Sequence, residues 1–187
     1  MDEVWKGKTI IELIIAKLML REGTLTLRPL QEEDAQILST LINNRNILDN
    51  LRDYIPYPYS LSDAISFISL SQNETPKMTF AIIHEEHFCG VIGLVGLSDV
   101  YRRTAEIGYW IGEPFWNHGI ATMAVRLLTD YGLNELSFLR IHTGVFEYNT
   151  ASMQVLAKTG YVKDGVFKKS VEKNGQIFDE HRFSITT

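Results

Sequence analysis

The chain has 187 residues, 45% hydrophobic and 22% charged, with 18 Lys and Arg against 23 Asp and Glu for a formal charge of -5. That length supports one buried core rather than two domains, and the composition is that of a folded chain rather than a disordered or repetitive one. The acidic balance argues against a broad nucleic-acid surface, and the single cysteine, Cys89, excludes an intrachain disulfide and a cysteine metal cluster, which fits a reducing, cytoplasmic setting.

From Ile10 to Leu20 the chain is apolar, but Glu12 and Lys17 interrupt it and it is too short to span a bilayer. Ile11, Ile14, Ile15 and Leu18 fall at helical spacing, which predicts an amphipathic helix packed on the domain or on a partner, including a second copy in a homo-oligomer. Residues 1–23 therefore read as an extension and 24–187 as one domain. Thr24 to Arg28 alternates like a strand that Pro29 ends, and Ala35, Leu38, Leu41 and Ile42 form the stripe of a first helix. Ser60 and Asp63 have the spacing of a capping box opening a second helix. Between them lies a Tyr- and Pro-rich segment from Asn50 to Tyr59.

Thr79 to Ile83, Cys89 to Leu97 and Ala105 to Ile111 read as consecutive antiparallel strands. After Pro114 the period becomes 3.6: Ile120, Met123, Ala124, Leu127, Leu128 and Tyr131 mark the clearest helix of the chain. A strand from Phe138 to Val145 follows, then a short helix that Asn149 can cap and Gly160 can close. Tyr161 to Val171 and Ile177 to Ile185 form a hairpin around Asn174-Gly175, a strong tight-turn pair. The order β-α-α-β-β-β-α-β-α-β-β predicts a mixed α/β (α+β) fold: a largely antiparallel sheet flanked by helices.

Trp116-Asn117-His118-Gly119-Ile120-Ala121-Thr122 joins a strand to the long helix. Free N–H groups and the positive end of the helix attract an anion, while Gly119 and Ala121 let its oxygens approach the backbone. The same residues also suit an ordinary tight turn, and several phosphate ligands fit the pattern. No Gly-x-Gly-x-x-Gly follows the first strand and no Lys-Ser/Thr phosphate loop is present, which removes the usual dinucleotide and nucleoside-triphosphate readings. Glu106 stands in an otherwise apolar strand and is a candidate general base, or else a hydrogen-bonded edge carboxylate. Cys89 opens a hydrophobic strand and reads as a buried apolar residue rather than a nucleophile. The five histidines show no metal-ligand spacing.

Four stretches resemble the GNAT acetyltransferases, especially the ribosomal-protein-alanine N-acetyltransferase branch. They are LTLRPLQEEDA from Leu25, AEIGYWIGEPFWNHGIATMAV from Ala105, NTASMQVLAKTGY from Asn149, and the closing hairpin around KNGQIFDE. The resemblance implies a GNAT-like fold and acetyl-coenzyme A as cosubstrate, with no metal required. It implies that backbone N–H groups of Asn117, His118, Gly119, Ile120, Ala121 and Thr122 hold the pyrophosphate. The family has Gly and then a basic residue where this chain has Asn117 and His118, which lowers the charge available there. Two strands are expected to splay around the pantetheine arm, with Trp110, Ile111 and Gly112 on one side and Gly144 to Phe146 on the other. Asn149 would contact pantetheine amides, compatibly with capping the helix, and Ser152 would protonate the leaving thiolate.

Transfer to a primary amine is expected to proceed by direct attack, with the α-amine of a protein or peptide N-terminus as acceptor and small amines as the alternative. Tyr54, Tyr57 and Tyr59, stiffened by Pro56 and Pro58, could wall the peptide end or simply pack a loop. A rival of another class is a non-catalytic acyl-coenzyme A binding protein that keeps the cradle without competent acid-base groups.

Overall fold

The computed structural model describes residues 19–187; the helix expected from Ile11 to Leu18 lies outside them. One eight-stranded sheet organises these residues, with strand order β1-β2-β3-β4-β5-β6-β8-β7. Its strands are β1 (Leu20–Glu22), β2 (Leu25–Arg28), β3 (Thr79–His84), β4 (His87–Gly96), β5 (Thr104–Ile111), β6 (Arg140–Phe146), β7 (Val162–Lys173) and β8 (Gln176–Thr186). Five α-helices flank it: α1 (Ala35–Ile42), α2 (Arg45–Leu48), α3 (Leu61–Gln72), α4 (Ile120–Asp130) and α5 (Thr150–Lys158). The mixed, largely antiparallel fold expected from the sequence is the one observed, with two short additions. The sheet already begins at Leu20, before the boundary drawn at residue 24, and α2 occupies part of the connection that had no assigned element.

Local chemistry explains the main turns. Arg28 grips Asp34 through two guanidinium bonds of 2.7 Å, and Asp34 also accepts from the Gln31 amide at 2.8 Å, so the start of the LTLRPLQEEDA block is a fastened strand-to-helix corner. The Ser60 amide donates to Asp63 and the Asp63 amide to Ser60 Oγ, the expected capping box. Asn174 and Gly175 both take left-handed φ values, 52° and 74°, as a two-residue turn compatible with the sheet's twist requires.

Every neighbouring strand pair is antiparallel except β5 with β6, whose connection runs through α4. The sheet separates two apolar cores. Ala105, Ile107 and Ile111 of β5 pack with α4 residues Ile120, Ala124 and Leu128 on one face. On the other, Trp110 packs with Leu38, Ala64 and Ile68 of α1 and α3. Because side chains alternate along a strand, Glu106 shares the face of Trp110, and Tyr109 the face of α4 and α5. That alternation determines the layout of the site.

Candidate active site

At the head of α4 the backbone turns through two left-handed residues, Asn117 (φ 64°) and Gly119 (φ 76°). The first helical i-to-i-4 bond runs from the Met123 amide to the Gly119 carbonyl, so the amides of Ile120, Ala121 and Thr122 precede the ladder and point outward along the helix axis. Apart from its own chain neighbours, no atom lies within 4 Å of where a Cβ on Gly119 would stand, so the approach to these amides is open. His118 is exposed. A pyrophosphate could therefore be held here by peptide dipoles, with little help from side-chain charge, and the residues present fit the coenzyme implied by the sequence.

β5 and β6 part company close to this cradle. Their parallel ladder contains only Thr104 with Arg140, Ala105 with Ile141 and Glu106 with His142. Beyond it, β5 stays paired with β4 as far as Ile111, and β6 stays paired with β8 as far as Phe146. Each strand thus follows its own outer neighbour and a gap opens between them, flanked by Trp110 to Gly112 and by Gly144 to Phe146. Gly112 is buried, and its amide donates to the Cys89 carbonyl at 2.7 Å.

On the α4 face, Ser152 lies in the first turn of α5. The Asn149 side chain accepts from the Ser152 amide at 3.1 Å, so Asn149 caps the helix and fixes the serine backbone. Ser152 Oγ lies 2.8 Å from Tyr109 Oη. Burial pushes the Tyr109 phenol up to about 12, with the Ser152 hydrogen bond opposing, so at neutral pH the pair retains both of its hydroxyl protons. Tyr109 was legible in the sequence only as a strand residue; its partnership with Ser152, 43 residues away, is a tertiary feature.

On the opposite face, Glu106 forms an ion pair with Arg52, which projects from the connection between α2 and α3. His142 is the cross-strand neighbour of Glu106. Burial holds the His142 imidazole below its ordinary value, with the Glu106 charge opposing, so it is neutral near pH 7. A cavity of about 260 Å³ adjoins this region, lined by Arg52, Asp53, Phe146, Lys173 and Glu180 among others. Glu180 is 8% exposed and lies over Gly144, where a Cβ would come within 2.0 Å of its carboxylate. Arg182 Nε stands 2.7 Å from Glu180. Glu180, Lys173, Arg182, Arg52 and His142 were not singled out from the sequence: Lys173 and Glu180 open and close the KNGQIFDE stretch, which reads only as a hairpin, and the other three sit in no local motif.

The aromatic segment divides. Tyr54 is 79% exposed, and Tyr57 is 51% exposed with the Arg45 guanidinium 3.9 Å above its ring. Tyr59 is 8% exposed, packs in the second core, and has its phenol pushed up to about 12 by burial. The expectation that Tyr59 lines an acceptor wall is therefore corrected: its side chain is core, and Asn43 holds its backbone on both sides, at 2.7 and 2.6 Å. Cys89 is also core, 1% exposed, with burial raising its thiol, the opposite of an activated nucleophile.

Among the described residues no helix is long and apolar enough to cross a membrane, and no cluster of His, Cys, Asp and Glu could hold a metal. Residues 24–162 match the Acetyltransferase (GNAT) domain family. The chain is 33% identical over 181 residues to the probable N-acetyltransferase YjcK of Bacillus subtilis, covering 88% of this chain and 94% of that one. It is 27% identical to the spermidine N(1)-acetyltransferase of Escherichia coli K12, over 85% of this chain and 84% of that protein. Its fold superposes on Mycobacterium smegmatis RimJ, solved in complex with CoA-disulfide, with a TM-score of 0.79 at 25% identity, covering 90% and 86% of the two chains. The open cradle, the parted strands and these likenesses agree: the chain belongs to the GNAT family of acetyl-coenzyme A-dependent N-acetyltransferases.

Proposed function

We propose that this enzyme acetylates the α-amine of a protein or peptide N-terminus by direct attack, with Glu106 as general base and Ser152 as the final proton donor. One observation carries the reading. Glu106 and the Tyr109–Ser152 pair lie on opposite faces of β5, within three residues of the point where its ladder with β6 ends. Proton removal from an amine arriving on one face and proton delivery on the other then meet at a single opening.

Bound acetyl-coenzyme A supplies an activated thioester carbonyl and, after transfer, a thiolate that needs a proton. Cradle amides from Asn117 to Thr122 hold the pyrophosphate, while Trp110 to Gly112 and the facing stretch of β6 align the arm. Glu106 takes the amine proton, directly or through one water. Ser152 donates its hydroxyl proton to the departing sulfur, and Tyr109 can re-protonate or orient it. General acid-base groups of this kind contribute about 100-fold or more each.

Two features favour an α-amine. Its ordinary pKa of about 7.7 to 8.0, against about 10.4 for a lysine side chain, lets one ordinary carboxylate activate it near neutrality. Three of the four carboxylates at Glu106 and along the cavity are also matched with cations, Glu106 with Arg52, Asp53 with Lys173 and Glu180 with Arg182, while the exposed Glu172 has no ion pair among the described residues. That leaves little unbalanced negative charge to attract a polycation. The likeness to a spermidine acetyltransferase supports small polyamines as the second reading. A side-by-side assay of α-amino peptides, terminally blocked lysine peptides, spermidine and amino sugars tests the choice. Acetylation of the free peptide N-termini is expected; robust turnover of spermidine with none on any α-amino peptide would overturn it.

A further inference from the structure

We propose that Lys173 is a positioning residue for the acceptor half-reaction: it fastens the Leu51–Asp53 segment so that Arg52 stays on the Glu106 carboxylate. The inference rests on the reading of Glu106 as the acceptor-side base. Lys173 ends β7 beside the Asn174-Gly175 turn and is only 7% exposed. Lysine is rarely buried without partners, because its ammonium must give up its water. Here Nζ donates to the Leu51 carbonyl at 2.8 Å and to Asp53 Oδ1 at 2.5 Å. The Asp53 side chain is 72% exposed and could be solvated without help, so the buried partner in this contact is the lysine.

Two further bonds reach the same stretch of chain. Asn174 Nδ2 donates to Asp49 Oδ1 at 3.0 Å, and Tyr148 Oη donates to the Asp49 carbonyl at 2.5 Å. The segment from Asp49 to Ser60 has neither helix nor strand to stiffen it, so these tertiary bonds order its start, while core packing of Leu51 and Ile55 and the Asn43–Tyr59 bonds hold the rest. Arg52 sits between the two residues that Lys173 holds and reaches Glu106 across 54 positions of sequence. The Arg52 side chain is 54% exposed, and an exposed pair of this kind is weak unless its backbone is already in place. The other charged or titratable groups around Glu106 are His142 beside it, with Arg140, Asp164 and Arg182 near that histidine. None of these reaches the 51–53 segment, so Lys173 is the link between the hairpin and the carboxylate.

The test is a double-mutant cycle on the full chain with saturating acetyl-coenzyme A. Lys173→Met and Arg52→Ala are each expected to lower kcat/KM for the acceptor about tenfold, the scale of a small misalignment of a reacting group. The double variant should be no worse than the poorer single, because both remove one coupled arrangement. Lys173→Arg should restore most of the loss, and coenzyme A affinity by calorimetry should stay within about twofold. Backbone hydrogen exchange between residues 49 and 53 should quicken in Lys173→Met but not in Arg52→Ala. Wild-type acceptor kinetics in Lys173→Met, or losses that multiply in the double variant, would overturn the proposal. If Lys173→Met does not fold, the cycle is run with Asp53→Ala, where the same non-additivity with Arg52→Ala is required. Full turnover in Glu106→Gln would sink the base reading on its own, while the exchange data report separately on the Lys173 anchor.

Discussion

The two sides of the opening between β5 and β6 are built by different means. The side proposed for the coenzyme is contiguous: residues 117–122 form one turn and the head of one helix, and what they offer is backbone amides and left-handed φ values. The side proposed for the acceptor is assembled from Arg52, Glu106, His142, Lys173, Glu180 and Arg182, which come from a connection and four strands, and all but His142 carry charge. A backbone cradle tolerates changes of side chain, so Asn117 and His118 can stand where a basic residue is usual. A charge cluster tolerates them less, because its buried ions, Lys173 and Glu180, depend on their partners. Ligand specificity should therefore vary on the acceptor side while the coenzyme side stays constant.

The sharpest break of this comparison is Gly119→Val. A β-branched residue at φ 76° costs about 1–2 kcal/mol and places bulk where an anion must approach. The domain should remain folded. It should lose the roughly 2.7 kcal/mol of stabilisation that a ligand at 100 times its dissociation constant supplies, read as a vanished thermal shift with acetyl-coenzyme A. Unchanged binding would show that the cradle lies elsewhere.

Substitutions in the two groups proposed to handle protons should instead spare coenzyme binding. Ser152→Ala should lower kcat about 100-fold, and Glu106→Gln should lower turnover at neutral pH by a similar factor. The two variants separate in alkali. Above the acceptor's own pKa of about 7.7 to 8.0 the amine no longer needs a base, so Glu106→Gln should recover in part while Ser152→Ala should not. Parallel pH profiles for both would remove the division of labour between the faces.

Tyr109→Phe is expected to cost less, about tenfold in kcat, and to cost nothing further in a Ser152→Ala background, since the hydroxyls act as one pair. Losses that add in the double variant would give Tyr109 a separate task.

The smallest effect concerns His142. Burial lowers its folded-state pKa, so on acidification the unfolded chain takes up a proton that the folded chain resists. The stability associated with its neutral form is present above about pH 6.5 and is lost as pH falls through the folded value. His142→Asn should flatten that acid limb, so that its melting temperature falls less than that of wild type between pH 7 and 5. An unchanged slope would mean that the imidazole is wetter than its position between Glu106 and Ser184 indicates.

Much of the fold could be read locally. The 3.6-residue stripe from Ile120, the Ser60–Asp63 box, the Asn149 cap and the Asn174-Gly175 turn all declare themselves within a few residues, because each is a short-range bond or a backbone preference. The tight turn proposed as the cradle was legible for the same reason. Glu106 drew attention as an acid among apolar neighbours, but the ion that holds it could not be inferred, since Arg52 looks like any other surface cation in the chain. Tyr59 misled because an aromatic in a Pro-rich segment has the same composition whether it faces solvent or core; only the packing of α1 and α3 decided it.

By itself the sequence determined the order of elements, and it pointed to the turn proposed for the anion and to the candidate acid and base, all of which depend on contacts a few residues apart or on strand alternation. The tertiary structure decided which faces those residues occupy, that the ladder between β5 and β6 ends at Glu106 and His142, and that Tyr109 meets Ser152 while Lys173 holds the chain beside Arg52. These pairings span 36 to 122 positions. They are set by sheet register and by loop closure, and a one-dimensional pattern carries no term for either.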